Sequence, residues 1–351
     1  MSTLATNAIT DASGGNTATI NSYTPTESNM AGRNRIINGD MRIDQRNAGA
    51  SVSMTASSPY ILDRWRFWAN GSSGSAAYTV QQSSEAPAGF ASSCVVTQTA
   101  SFSPTGSQYN IFAQYIEGYN VADLGWGTAN AKTVTLSFWV RSSLTGTFGG
   151  AVSNYDQTRS YSFTYTISSA NTWEYKTITI VGDTSGTWLT TTGIGLEIYW
   201  QLGVGSSYLG TAGAWAGAVY LGATGATQIT ATNGATLYIT GVQLEEGSVA
   251  TPFEHRQYGQ ELALCQRYYF VNTGDGSFVA YAFSVNTTDT YRHILYPWPV
   301  QMRATPTTTA NWAGGTSLIL YPNINSAALL NYLGSATGLS QLVSVTASAE
   351  L

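Results

Sequence analysis

Charge is what this chain of 351 residues has least of: Asp, Glu, Lys and Arg together make up 9%, where an ordinary soluble domain carries roughly 25%. With 14 Lys and Arg against 19 Asp and Glu, the net charge is −5. The densest group of cations, Arg33, Arg35, Arg42 and Arg46, is interrupted by Asp40 and Asp44. It makes no stripe able to follow a phosphate backbone, so no nucleic-acid partner is expected. Glu, Lys and Arg are also the usual surface residues of helices, so long helices are not expected either. The polar surface must be built from Ser, Thr, Asn, Gln and Gly, which makes it neutral and rich in hydroxyls. So little charge favours a component of an assembled particle over a free monomer.

Cysteine and histidine are nearly as scarce. Cys94 and Cys265, both in apolar settings, make neither a disulfide framework nor a four-ligand metal site, and read as buried thiols. His255 and His293 lie 38 positions apart with no HExxH frame, which argues against zinc or histidine-base catalysis. The acids, among them Asp63, Glu85, Glu117, Asp123, Glu174, Glu197, Glu245 and Glu246, are scattered along the chain. Glycoside hydrolysis needs only two of them to meet, so a polysaccharide depolymerase stays open as an alternative, and no catalytic residue is assigned. No apolar run reaches the roughly 18 residues of a membrane span, so no membrane insertion is expected. The opening Met-Ser-Thr-Leu-Ala-Thr-Asn has neither the basic head nor the apolar segment of a secretory signal. The expectation is a protein made in a cytosol that stays there or leaves by a route other than secretion.

What the chain does have is alternation. In Val134-Thr-Leu-Ser-Phe-Trp-Val140, large residues share one face, while Thr135, Ser137 and Trp139 share the other. Tyr161-Ser-Phe-Thr-Tyr-Thr-Ile167 repeats the scheme, and Asp63-Arg-Trp-Arg-Phe-Trp68 sets Trp65 and Phe67 against Arg64 and Arg66. A period of two is the mark of half-buried strands. In Gly234-Ala-Thr-Leu-Tyr-Ile-Thr-Gly-Val-Gln-Leu-Glu-Glu246, Leu237 and Ile239 point one way and Tyr238, Thr240, Val242 and Leu244 the other. Residues 173–180 change phase near their middle, as a bulged strand would. Many short strands separated by Gly, Ser, Asn and Asp turns predict an all-β fold, a two-sheet jelly-roll sandwich over residues 33–258.

Residues 1–32 hold too few apolar groups to fold alone, and read as a tail or as an arm that docks on a partner. Residues 202–232, where glycines interrupt Tyr208, Trp215 and Tyr220, form a long excursion that could offer rings to sugars or pack on another subunit. A boundary falls at Thr251-Pro252. Gln260-Glu-Leu-Ala-Leu-Cys-Gln-Arg267 is the best candidate for a short helix, opening a smaller C-terminal β domain over residues 259–351. Calcium is the ion this composition could hold, with Asn38, Asp40 and Glu245 as candidate ligands if the first and last strands pair; no other cofactor is expected.

Several phrases carry a resemblance. Asn34-Arg-Ile-Ile-Asn-Gly-Asp-Met41, Asp63-Arg-Trp65, Val134-Thr-Leu-Ser-Phe-Trp-Val140, Thr172-Trp-Glu-Tyr-Lys-Thr177, the stretch from Ala235 to Glu254 and Glu261-Leu-Ala-Leu-Cys-Gln-Arg-Tyr-Tyr269 are similar to bacteriophage and prophage tail-fibre proteins. The resemblance covers roughly residues 33–270; Met302-Arg-Ala-Thr-Pro306 is similar to the tail segment of the same family, and residues 1–20 resemble short attachment segments of phage structural proteins. It implies a carbohydrate-binding-like jelly roll on a homotrimeric virion fibre aimed at host-surface polysaccharide. In such modules the opening strand, here Ile36 to Met41, lies near the closing one, here Leu237 to Glu246, sometimes with a structural calcium. A phage protein is made in the host cytoplasm and released by lysis, in keeping with unpaired cysteines. Residues 1–32 would then dock on tail or capsid proteins. The alternative to a tail fibre is a head fibre or decoration protein. Trp68, Trp126, Tyr208 and Trp215, each on an outer face or in a Gly-rich loop, are the candidate glycan-binding residues.

Overall fold

A computed structural model describes residues 32–54, 59–70, 77–273, 280–282, 291–313, 316–332 and 340–351. The expected arm at residues 1–32 lies, except for Gly32, outside them. The sandwich strands in chain order begin β1 (Val52–Met54), β2 (Tyr60–Leu62), β3 (Trp65–Asn70), β4 (Ala77–Ser83) and β5 (Ser93–Ala100). They continue β6 (Tyr109–Glu117), β7 (Val134–Ser142), β8 (Gly146–Ser153), β9 (Ser160–Ile167) and β10 (Glu174–Ile180). β11 (Ile194–Val204), the short β12 (Leu209–Gly210), β13 (Trp215–Ala216) and β14 (Gly222–Ala223), and β15 (Thr236–Glu246) complete the set.

The fold is an all-β jelly-roll sandwich followed by smaller sheets. One main sheet runs β1-β4-β5-β15-β7-β10 and the other β13-β9-β8-β11-β6-β3-β2. Their inner faces meet in one core that includes Trp65, Phe67, Phe112, Phe138, Phe163, Trp200, Leu237 and Leu244. Trp65 stacks on Phe112 with ring centroids 4.9 Å apart, and Phe138 meets Trp200 edge-on at 5.6 Å. Alternation explains the placement, since Val134, Leu136, Phe138 and Val140 are all fully buried while Trp139 between them is only half-buried.

β15 is one of the two central strands of its sheet, but it does not present apolar residues to both sides as its alternation predicts. Its register against β7 shifts between Thr240 and Gln243, and Gly241 adopts φ 61°. A glycine in the left-handed region is the usual residue of such a bulge. The extra residue flips the phase, so Leu237, Ile239, Val242 and Leu244 all enter the core together. The bulge expected near the middle of residues 173–180 is absent, because β10 pairs with β7 in unbroken register from Glu174 to Ile180. Residues 36–41 form a turn, not a strand, with Asn38 and Met41 both at φ 58°. That turn lies beside β15 all the same: Arg35 N–H donates to the Leu244 carbonyl and Val242 N–H to the Gly39 carbonyl, each at 2.9 Å.

The excursion at 202–232 folds back over the outer face of the seven-stranded sheet. Ser160 and Ser162 hydroxyls hold the Ala218 and Gly222 carbonyls, and Leu221 packs with Tyr109, Tyr115 and Tyr199 in a small second core. Beyond the sandwich, α1 (Tyr258–Gln266) forms where expected and buries Cys265. Then come β16 (Tyr269–Asn272), β17 (Ala280–Ala282), β18 (Tyr291–Pro297), β19 (Thr307–Ala313), β20 (Thr316–Pro322), β21 (Ser326–Tyr332) and β22 (Ser340–Ser348), in two sheets around Phe270, Trp298, Met302, Leu329 and Val345. Buried ion pairs tie this part to the sandwich: Arg267 forks onto Glu117, and Glu350 pairs with both Arg46 and Arg64.

Candidate functional site

The side of β7 and β10 that faces away from the core carries two rows of rings. In one row, Trp139 lies opposite Tyr175 in register, with centroids 5.4 Å apart. In the next, Tyr238 of β15 lies opposite Arg141, whose guanidinium stands 5.0 Å over the tyrosine ring, and Trp173 meets Tyr238 at 6.1 Å. Residues two apart on a strand are separated by about 7 Å, so the rows follow one another at that spacing. Tyr175 is 42% exposed. Of the hydroxyl residues in the same register, Thr177 and Thr179 on β10 are exposed, while Thr135 and Ser137 on β7 are buried.

Two loops turn the first row into a groove. Phe90 comes from the segment before β5, Phe253 and His255 from the segment after β15. The three rings pack at 5.1 Å (Phe90 to Phe253), 5.4 Å (Phe90 to His255) and 4.9 Å (Phe253 to His255). With Trp139 and Tyr175 they line an open cavity of about 470 Å³. The loops are held in place by β15. Thr240 donates its hydroxyl to the Ser92 carbonyl at 2.7 Å, and the Glu254 N–H donates to Gln243 Oε1 at 2.8 Å. Glu245 accepts the Thr251 N–H at 2.8 Å and its hydroxyl at 2.6 Å. A Cβ on Gly241 would lie 2.6 Å from the Phe90 ring, so the bulge glycine also makes room for the groove wall. No carboxylate is among the residues that line this cavity; Glu245 lies behind its Thr251 wall, and Arg141, in the second row, pairs with Glu85 at 2.9 Å.

The sequence-predicted residues fall elsewhere, in two clusters. Trp126 does not stand outward from its loop: it is 7% exposed, donates its N–H to the Lys132 carbonyl, and meets Trp188 and Trp215 edge-on at 4.7 and 5.4 Å. Trp215, partly exposed, donates to the Val181 carbonyl. Trp68 and Tyr208 both pack on Tyr109, at 5.0 and 5.6 Å, on the outer face of the seven-stranded sheet. Thus the structure pairs Trp126 with Trp215 and Trp68 with Tyr208, and brings none of the four to the groove.

Asn38, Asp40 and Glu245 do not fit a calcium ion. The Asn38 carboxamide accepts from Ile43 N–H and donates to the Ile43 and Asp63 carbonyls. Glu245 is committed to Thr251 and Gln243. Asp40 pairs with Arg42 at 2.9 Å, leaving one buried oxygen unpartnered. Among the described residues no group of three His, Cys, Asp or Glu is placed to hold a metal.

A jelly roll with a ring-lined groove on one sheet is the class that the fold and site define. No protein-family model and no curated protein matches the chain. Among solved structures it is similar to the enzymatically active domain of tailspike protein 4 of bacteriophage CBA120, at 13% identity and a TM-score of 0.31 over 61% of this chain. The chain spans only 21% of that structure. It is also similar to TmCBM61 in complex with β-1,4-galactotriose, at 11% identity and a TM-score of 0.31, covering 61% of this chain and 99% of the other. The family 11 carbohydrate-binding module of the cellulase Lic26A-Cel5E of Clostridium thermocellum aligns at 12% identity and a TM-score of 0.29, over 58% of this chain and 100% of that one.

Proposed function

We propose that this chain is a virion fibre protein that recognises host-surface glycans, and that the groove of Phe90, Trp139, Tyr175, Phe253 and His255 makes the contact. The observation that carries the proposal is the groove itself: five rings, half-buried to exposed, drawn from two strands and two loops, with no carboxylate among the lining residues. Sites for small polar ligands combine an apolar lining with a few convergent polar groups. A pyranose offers an apolar face for the rings and hydroxyls for the rim. The neutral lining favours an uncharged sugar.

The fibre assignment is supported by the phrases shared with tail-fibre proteins and by the scarcity of charge. With it go assembly as a homotrimer, attachment to tail or capsid through residues 1–32, and residence in the virion. A glycan array probed with the purified full chain should show retention on at least one neutral bacterial polysaccharide; retention on none rejects glycan recognition. Mass in solution three times that of the 37.3 kDa chain is the expected assembly state, and a stable monomer rejects it.

A further inference from the structure

The outer face of the seven-stranded sheet, across the sandwich from the groove, carries an aromatic surface with a positive charge at its centre. Arg66 on β3 points away from the core, between buried Trp65 and Phe67. Its guanidinium lies 5.1 Å from the Tyr115 ring centroid, 5.6 Å from Trp68 and 5.8 Å from Tyr60. Every other arginine whose side chain is described holds a carboxylate or a backbone carbonyl. Arg66 holds neither among the described residues, and its Nε is buried without a partner. Its two terminal nitrogens are not buried, so the fork is open to solvent and free to take a ligand.

The nearest acid does not fill it. Glu197 on β11 accepts from the Tyr199 hydroxyl and, at 3.4 Å, from Gln157. Burial pushes its carboxyl up to about 8, so at neutral pH it is uncharged. Around it stand Asp156 on the β8–β9 turn and the tyrosines Tyr109, Tyr115 and Tyr199, while Tyr60 stands beside Arg66; burial raises the hydroxyls of all four tyrosines. Glu350, which faces Tyr60, is already paired with Arg46 and Arg64.

We propose that Arg66 anchors a second ligand site, one that takes the carboxylate of an acidic sugar, with the exposed part of Trp68 as the surface for the sugar ring. Arginine suits this role because its planar fork binds a carboxylate through two parallel N–H bonds. The rings beneath it fix the fork's orientation and partly strip it of water, which strengthens the pairing. A neutral Glu197 leaves the positive charge available. An ionised one would compete with the ligand. The site does not rest on the groove, and a failure of either leaves the other standing.

The test titrates trigalacturonate and neutral galactotriose into the full chain carrying Trp139→Ala and Tyr175→Ala, so that the groove makes no contribution. Trigalacturonate should bind at least tenfold tighter than galactotriose at pH 6.5, and its affinity should fall by pH 9 as Glu197 ionises. Arg66→Gln should weaken it at least tenfold, and Trp68→Ala severalfold. Equal binding of both sugars, no binding of trigalacturonate, or an Arg66→Gln protein of unchanged melting temperature that binds as before would each overturn the proposal. If Arg66→Gln melts early, Arg66→Lys decides: it keeps the charge and the packing stem but loses the fork, so undiminished affinity in that variant also overturns it.

Discussion

The Phe90 ring lies where a side chain on Gly241 would begin, 2.6 Å from the position of its missing Cβ. This contact joins two roles at one residue. The left-handed backbone of Gly241 shifts the register of β15 so that both halves of the strand feed the core. Its bare α-carbon then leaves room for both Phe90 and Trp139, which a Cβ would approach to 2.6 and 3.1 Å. The same economy appears at Gly39, where a Cβ would strike the Val242 carbonyl at 2.2 Å and crowd Phe253 at 3.3 Å.

Gly241→Ala should therefore damage fold and site together. A Cβ at φ 61° is strained and meets Phe90, at a cost of about 1–3 kcal/mol. Urea unfolding should show the loss, and glycan affinity should fall with it because Phe90 must swing aside. Unchanged stability would mean that the bulge can relax without the glycine.

Glu245 anchors the loop that carries Phe253, accepting both the Thr251 N–H and its hydroxyl. Glu245→Ala leaves the Thr251 N–H and hydroxyl unpaired in a buried setting, which costs about 1–3 kcal/mol and should loosen the segment that carries Phe253. Chelation with EDTA should leave the wild-type melting temperature unchanged. A drop on chelation that Glu245→Ala abolishes would restore calcium to this position.

Stability should fall as pH rises from the ordinary carboxylate range to about 8. Burial raises the Glu197 carboxyl to about 8, so the folded chain holds a proton there that the unfolded chain has already released. The stability this proton confers is complete below the ordinary carboxylate range and is lost as pH rises through the folded value. Asp63, raised by burial to about 6, loses its contribution earlier, so the slope between pH 6 and 8 belongs mainly to Glu197. It should approach about 1.4 kcal/mol per pH unit. Glu197→Gln should flatten that part of the profile, and an unchanged slope would place the titrating group elsewhere.

The sheets were legible because alternation survives in the sequence: Val134 to Val140 and Tyr161 to Ile167 sit in the structure as their period of two requires. Phase was legible only where no bulge intervened, and Gly241 reversed half of β15 without leaving a break in the pattern. The groove was hidden for a different reason. Trp139 was visible on the hydroxyl face of its strand, but Phe90 and Phe253 reach it from positions 49 residues before and 114 after. No local pattern records such a meeting. Trp126 and Trp215 misled in the opposite direction: their glycine-rich neighbours suggest exposed loops, whereas Trp188, also distant in sequence, closes them into a cluster of three rings.

Calorimetric titration of an array-identified neutral oligosaccharide, comparing the wild-type chain with the Trp139→Ala, Tyr175→Ala double variant, tests the groove assignment most directly. Both rings are at least partly exposed and lie outside the main core, so the variant should melt within a few degrees of wild type while affinity drops tenfold or more, about 1.4 kcal/mol or greater. A folded double variant that binds with undiminished affinity would contradict the account.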